Sequence, residues 1–561
     1  MGVEIEADIV LTGGNVITLD LDKPRAQGIA IKNGRLLWAG SDEEVREAIG
    51  KKTRVRKLEG LTVVPGFNDA HNHTLLYGLN LLRTIDLSPA RSIKEILNFV
   101  KVQATRQEEG SWIVGFGYNH NEIDEKRHPT RWELDGVAPH HPVTLKHCNY
   151  HVQVANSKAL SLAGITRSTP DPEGGRIAKD DRTADPTGLL YELPAIKLVE
   201  NVIPKPSHGD LIEALKMANQ QFLSEGITSS TDAGEVGAIG VSLQIAAYQE
   251  AVERGILRVR QNVAIWNEAL VSSDDLDGDL SHLESRILTM AMGFHSGFGN
   301  ERLRIGPIKI VVDGALSSGT AATFEPYGVD SGNQSTGMLI FEQTKLLKLI
   351  SAAHALGWQL ALHSIGDKAI DLVLDSIGLT LQKNPRENTR HRIEHCAIVN
   401  SHIIDRMRQL KILAILQPGF IWELGDSWIR QLGSDRVGKV KPFRTLLDEN
   451  ILVAFSSDRP VIKSASPLLG IHAAANEATL SGQDFVPGEK ISAEEALRCY
   501  TLNGAYASFE EGVKGSIQVG KFADLVLLTD DPTKVPPEKI KDIMVKATMV
   551  GGEFVYENED L

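Results

Sequence analysis

Two histidines, His71 and His73, stand two residues apart in Phe67-Asn68-Asp69-Ala70-His71-Asn72-His73, just after the apolar residues 61–64 and the turn Pro65-Gly66. Side chains two apart on an extended segment point the same way, so both imidazoles can reach one point. Neutral imidazole is a common zinc ligand. Such a pair also arises by chance, and its meaning depends on what else can reach that point. Four more residues of suitable chemistry follow at long intervals. Lys309 lies in Gly306-Pro-Ile-Lys-Ile-Val-Val-Asp313-Gly314, His363 closes Gln359-Leu-Ala-Leu-His363, His395 closes Arg392-Ile-Glu-His395, and Asp458 follows Val453-Ala-Phe-Ser-Ser. A carboxylate such as Asp458 can bind a cation through one oxygen and take a proton from water through the other, the behaviour of a general base.

These residues share a position relative to the elements around them. Apolar strand-like runs alternate with helical patterns through the middle of the chain, which implies βα units and a parallel sheet. Eight runs are candidate strands: 61–67, 227–232, 257–265, 303–312, 359–363, 390–395, 412–417 and 451–456. Eight is the number of a closed (β/α)8 barrel, and barrel active sites are built at the C-terminal ends of the strands. His71, His73, Lys309, His363, His395 and Asp458 can all be placed at that end.

Both termini read as short β segments punctuated by turns such as Asn33-Gly34 and Gly551-Gly552. The expected organisation is α/β: a barrel over 61–510, and a small β-sandwich assembled from 1–60 and 511–561. About 160 residues separate the first two candidate strands, so an insertion is expected after the first. Its segment 110–209 is rich in Trp, Tyr, His, Pro and Gly and would form a cap over the site. Trp112, Tyr118, Tyr150, Phe420 and Trp422 are candidate substrate contacts that would favour an apolar or aryl group beside the scissile bond. His120, His128, His140, His141, His208, His282 and His354 fit no strand end and are expected to be solvated or structural.

A formal charge of −14 and a pI near 5.7, with no Lys/Arg cluster, argue against nucleic acid as partner. No apolar run approaches the roughly 18 residues of a membrane span, and the start of the chain is acidic, so a cytoplasmic protein is expected. Three scattered cysteines without CxxC spacing fit a reducing compartment. A homodimer is expected from the general frequency of such assemblies.

The motifs together resemble the amidohydrolase superfamily, specifically its YtcJ-like or amidohydrolase-3 branch, which includes N-substituted formamide deformylases. The resemblance runs from Ala7-Asp-Ile-Val-Leu-Thr-Gly-Gly-Asn15 through Pro65-Gly-Phe-Asn-Asp-Ala-His-Asn-His73 to Gly520-Lys-Phe-Ala-Asp-Leu-Val526. It implies a site for two divalent ions, with zinc expected, in which His71, His73 and Asp458 hold one ion and His363 and His395 the other. It further implies that Lys309 is a CO2-derived carbamate bridging the two. An unmodified ammonium would be repelled there and has no lone pair; the alternative is a lysine paired with Asp313 along its strand. The insertion's His151-Val-Gln-Val-Ala-Asn156-Ser157 matches a motif of the branch, which makes His151 a candidate for stabilising the substrate carbonyl. Asp313 is a candidate site residue orienting a ligand or the substrate.

The implied reaction is hydrolysis of a small, non-peptide amide-type C–N bond, with metal coordination bringing the pKa of water towards about 7. A one-metal deaminase or amidase with unmodified Lys309 is the alternative enzyme, and a non-catalytic barrel scaffold is the alternative outside enzymes.

Overall fold

Eight parallel strands form the central sheet of the computed structural model, which describes residues 6–234, 240–327, 335–463 and 465–558. They are β1 (Phe67–Asn72), β2 (Ile227–Asp232), β3 (Arg260–Trp266), β4 (Leu303–Val311), β5 (Leu360–Ser364), β6 (Arg392–His395), β7 (Leu413–Leu416) and β8 (Val453–Phe455). Each pairs in parallel with the next in chain order. The gap between β8 and β1 is bridged just beyond the strand ends, where Asp458 N–H donates to the His71 carbonyl at 2.8 Å and His73 N–H to the Arg459 carbonyl at 2.8 Å. The (β/α)8 barrel read from the sequence is therefore present.

Parallel strands need crossovers, and amphipathic helices supply them. Gln343–Ala355, before β5, buries Leu346, Leu349, Ile350 and Ala353 at helical spacing. Except at the start of β4, every barrel-strand residue is buried, which is why these strands appear as continuous rather than alternating patterns.

One expected strand is corrected. Residues 61–67 do not open the barrel: Thr62–Pro65 pairs with Asn15–Ile17 and with Leu525–Leu528 in a six-stranded sheet formed by both ends of the chain. Only from Phe67 does the chain join the barrel. Gly66 makes the passage possible, since a Cβ there would sit 2.1 Å from the Thr228 hydroxyl on β2. His71 therefore lies within β1 and His73 just past its end. A four-stranded sheet (Arg35–Gly40, Gly28–Lys32, Ile9–Thr12 and Arg54–Lys57) faces the six-stranded one across Leu11, Ile29, Val63, Leu525 and Met549.

Between β1 and β2 the chain builds a separate six-stranded sheet that begins with Ile85–Asp86, ahead of residue 110, and continues through Ile113–Tyr118, Val143–His147, Val152–Ala155, Pro186–Tyr191 and Arg176–Lys179. It reaches the C-terminal end of the barrel through Asn121 and Asn149. Their amides bond to the backbone carbonyl and the hydroxyl of Ser317, at 3.3 and 3.0 Å.

Candidate metal centre and active-site pocket

His71, near the end of β1, is 1% exposed, and its neighbour His73 forms the N-cap of helix Thr74–Arg83. Their rings lie 5.5 Å apart, edge to face. His395 ends β6 with its ring 5.1 Å from His71 and 4.5 Å from that of His363 on β5. Lys309, in the buried half of β4, places Nζ 3.3 Å from His71 Nε2. Asp458, just past β8, has Oδ1 at 3.3 Å from His71 Nε2 and 3.5 Å from His73 Nε2, and Oδ2 at 3.8 Å from His395 Nδ1. All six residues thus gather at one end of the barrel.

Each of the four imidazoles has one nitrogen tied to a protein acceptor. His71 Nδ1 meets the carboxylate of Glu394 in a very short contact, and His73 Nδ1 donates to the Gly234 carbonyl at 2.9 Å. His363 Nε2 donates to the Gly314 carbonyl at 3.1 Å, and His395 Nδ1 to Gln417 Oε1 at 3.0 Å. The other nitrogen of each ring keeps its lone pair. This is the way proteins orient metal-binding histidines.

The electrostatics fit a cation. Burial holds His363 and His395 well below the usual histidine pKa, in the neutral form that can ligate. Burial alone would raise Asp458, but the imidazoles of His71 and His73 beside it keep it ionised, well below the usual carboxylate range. Asp458 Oδ1 is buried and accepts no hydrogen bond. A buried ionised oxygen without a donor is costly, and a divalent ion among these nitrogens would satisfy it. Donor atoms of His71, His395 and Asp458 lie within 4.8 Å of one another. Burial also lowers Lys309 to about 8, towards the free amine.

Several supporting residues escaped the sequence reading. Glu394, two residues from Arg392 on β6, is gripped by its guanidinium at 2.5 and 2.9 Å. Burial opposes ionisation there, yet Arg392 and His71 drive its pKa far down. The Arg-x-Glu spacing on one strand face was the available signal. Lys441, 1% exposed, donates to Gln417 Oε1 at 2.9 Å and to the His395 carbonyl at 3.1 Å. Burial brings it down to about 7. Nothing in its local sequence marks it.

Asp313 does not pair with Lys309. Its carboxylate accepts from the backbone N–H groups of Ala322, Ile365 and Gly366 at 2.8 to 2.9 Å, tying the loops after β4 and β5 together, and burial lifts it to about 7. His151, from the insertion, lies with its ring 5.3 Å from that of His363. Burial would lower its pKa, but the Glu192 carboxylate beside it raises it on balance. In the same motif Asn156 is a structural residue, capping helix Ser157–Leu162.

The pocket at the cluster is lined by Asn149, His151, Leu316, Phe420, Leu424 and Trp428 and encloses about 40 Å3. Most of the other candidate aromatic contacts lie elsewhere. Trp112 lines a separate cleft of about 660 Å3 beside Lys146 and Glu200. Tyr118 is buried in the core of the insertion with its hydroxyl on His128 Nδ1 at 2.9 Å, and Tyr150 stacks on Phe116 and bonds Asn80. Trp422 packs edge-on against His472, beneath Lys541. It shares helix Gly419–Val437 with Phe420, Leu424 and Trp428, but at about 100° per residue it falls on the opposite side.

A (β/α)8 barrel whose mouth holds four half-tied histidines, an aspartate and a buried lysine has the architecture of a metal-dependent hydrolase. The chain belongs to the amidohydrolase family, whose model matches residues 54–556. It is 31% identical to the N-substituted formamide deformylase of Arthrobacter pascens over 98% of both chains. It is 32% identical to Protein LONG AFTER FAR-RED 3 of Arabidopsis thaliana, over 98% of this chain and 92% of that one. Among solved structures, an uncharacterized metal-dependent hydrolase from Pyrococcus horikoshii superposes with a TM-score of 0.72 at 27% identity, covering 94% of this chain and 99% of that one. The protein is accordingly a metal-dependent hydrolase of C–N bonds. Among the described residues no helix is long and apolar enough to cross a membrane.

Proposed function

We propose that this enzyme hydrolyses small N-substituted amides with a compact acyl group, formamides foremost, using two divalent ions. His71, His73 and Asp458 would hold one ion, zinc by donor type, and His363 and His395 the other, with Lys309 as a carbamate between them. The observation that carries this reading is the gathering of four histidines, each tied through one nitrogen, with Asp458 and Lys309 at one end of the barrel. Bound ions of this kind lower the pKa of water and polarise a carbonyl.

The chain's own groups supply the rest. Asp458 takes a proton from the attacking water as its oxygen bonds to the carbonyl carbon, then passes that proton to the nitrogen as the C–N bond breaks, leaving a carboxylic acid and an amine. His151 donates from Nε2 to the carbonyl oxygen as charge builds there. Phe420, Leu424 and Trp428 exclude water and close around the acyl group. At about 40 Å3 this cavity is the smaller of two that adjoin, which favours a compact acyl group. Across Val461 it adjoins an outer cavity of about 280 Å3, lined by Tyr77 and Phe116 among others, with room for the N-substituent. The similarity to a formamide deformylase supports the same choice.

A panel of N-formyl, N-acetyl, larger N-acyl and cyclic amides, assayed with the metal-replete enzyme, tests this. Formamides should lead by about 10-fold or more per added carbon; preference for a larger acyl group would sink the proposal. The compact His71–His395–Asp458 triplet also suits a single ion, with Lys309 unmodified, in a deaminase or amidase. Metal counting and intact mass separate the readings: two equivalents with a CO2 adduct on Lys309 support the first, one equivalent without adduct the second.

A further inference from the structure

His151 is delivered to the pocket by the insertion, and the residue that holds it there belongs to no motif recognised in the sequence. Glu192, at the junction of strand Pro186–Tyr191 and helix Glu192–Glu200, is 0% exposed. Its Oε2 lies 2.6 Å from His151 Nδ1, and its backbone N–H donates to the His151 carbonyl at 2.9 Å. The backbone and the side chain of one residue therefore clamp those of the other. From the far side, the His151 N–H donates to Asn149 Oδ1 at 2.9 Å, so the ring is fixed at both ends of its residue.

The clamp is maintained against local cost. Glu192 has φ of +64°, in the left-handed region that a residue with a long side chain occupies only when its surroundings impose it. The second carboxylate oxygen, Oε1, is buried and unpartnered. It packs so closely on the loop after β4 that a Cβ on Gly314 would approach it to 2.6 Å. The same Gly314 offers its carbonyl to His363. The carboxylate thus sits where the insertion meets the barrel's ligand-bearing loops, with His151 on one side and Gly314 on the other. A strained backbone and a buried carboxylate with one oxygen unpartnered would be a poor arrangement for mere packing.

We propose that Glu192 is the positioning residue of the active site's cap: its carboxylate takes the Nδ1–H of His151, fixes the orientation of the ring, and so aims its Nε2–H at the substrate carbonyl. The proposal rests on the substrate-facing role given to His151 above. Glu192 touches no substrate and acts only through that ring. A carboxylate that sets the direction of an imidazole ring belongs to the chemistry of outer-sphere partners, whose removal typically costs about 10- to 100-fold.

The test is a double-mutant cycle on the metal-replete enzyme with the fastest formamide of the panel, joined to 15N NMR of histidine-labelled protein. Glu192→Ala should lower kcat about 10- to 100-fold with KM within about 2-fold, and in a His151→Ala background it should change kcat by less than about 2-fold. Glu192→Gln, which keeps an acceptor oxygen for Nδ1–H, should recover most of the loss. The Nδ1–H resonance assigned to His151 by its absence in His151→Ala should also vanish in Glu192→Ala, with metal content unchanged. A Glu192→Ala effect of equal size with and without His151 would overturn the proposal, as would full activity in Glu192→Ala beside an impaired His151→Ala. Full activity in His151→Ala would overturn the substrate-facing role itself, and this proposal with it. Should Glu192→Ala fail to fold, the wild-type spectrum still decides: a His151 ring protonated at Nε2 alone overturns the proposal.

Discussion

Two groups of clustered histidines among the described residues, one at the barrel mouth and one in the insertion, differ in how their second nitrogens are used. At the barrel mouth, His71, His73, His363 and His395 each give one nitrogen to a carboxylate, a carbonyl or an amide oxygen, and the second nitrogens of His71 and His73 lie 3.3 and 3.5 Å from Asp458. In the insertion, His120, His128 and His147 bond one another and their own surroundings. His120 Nδ1 meets His147 Nε2 at 3.1 Å, His147 Nδ1 accepts from the Asn149 N–H at 3.3 Å, and His128 Nδ1 meets the Tyr118 hydroxyl at 2.9 Å. The rings of His120 and His128 stack, 4.1 Å apart and 29° from parallel. Stacking directs lone pairs side by side, whereas ligation requires them to converge. Burial and clustering alone therefore do not make a metal site; the proposed one adds a tie on each ring and an ionised carboxylate within reach.

The largest effect that could break this contrast is on catalysis. His395→Ala should lower kcat/KM by roughly 10³-fold or more, since it removes a donor from the centre on which the whole rate depends. His120→Ala should stay within about 3-fold. Steady-state kinetics on the two variants, with metal content measured alongside, checks this; equal losses would erase the distinction. Next comes the tie itself. Glu394→Gln removes charge from the partner of His71 while nearly preserving shape, and should weaken metal binding about 10- to 100-fold. Chelator competition reads that directly, and unchanged affinity would show that the His71–Glu394 contact serves only the fold.

The same logic of one face against another applies to the aromatic residues. Trp428 lines the pocket and Trp422 lies on the opposite side of the same helix. Trp428→Ala should enlarge the acyl end of the pocket and shift the ratio of kcat/KM for formyl over propionyl amides about 10-fold towards the larger group. Trp422→Ala should leave the ratio within about 2-fold. A shift of equal size in both variants would mean that the helix acts through its stability instead of through its pocket face.

How much of this was legible in the sequence follows from which groups carry each feature. Strands such as Leu413–Leu416 and Val453–Phe455 stood out because a parallel sheet covered on both faces leaves continuous apolar runs, whereas Ile227–Asp232 and Arg392–His395 bury polar side chains as well. The first was misplaced because Leu61 to Val64 is as apolar as any barrel strand, and only pairing distinguishes a sandwich strand from a barrel strand. The six metal-type residues were readable because strand ends place them, and Glu394 was readable in principle from its spacing to Arg392. The acceptors for His73 and His363 were not, since they are backbone carbonyls of Gly234 and Gly314 and carry no residue-type signature. Trp428 was missed and Trp422 chosen because an aromatic composition says nothing about helical phase. His120 and His128, expected to be solvated or structural, have no periodic spacing with each other or with His147, which no expectation covered; parallel pairing of Ile113–Tyr118 with Val143–His147 sets Tyr118 opposite His147 and gathers the group.

The smallest predicted effect concerns that cap cluster and acid. Burial brings His120 down to about 4 and His128 to about 3, and holds His147 well below the usual value of 6.5. Between pH 6.5 and 4 the unfolded cap therefore binds more protons than the folded one. Stability from these groups is fully present above pH 6.5 and is lost as the pH falls towards their folded values, because the unfolded side chains gain protons that the folded ones refuse. Hydrogen exchange across 113–155, corrected for intrinsic rate, should show protection declining from pH 7.5 to 5.0 in the wild type and declining less in His147→Phe. The barrel histidines do not confuse this measurement, because it reads only amides of the cap. Equal declines in both proteins would mean that the cap's neutral histidines contribute nothing to its acid sensitivity, and that the two groups of imidazoles differ in geometry alone.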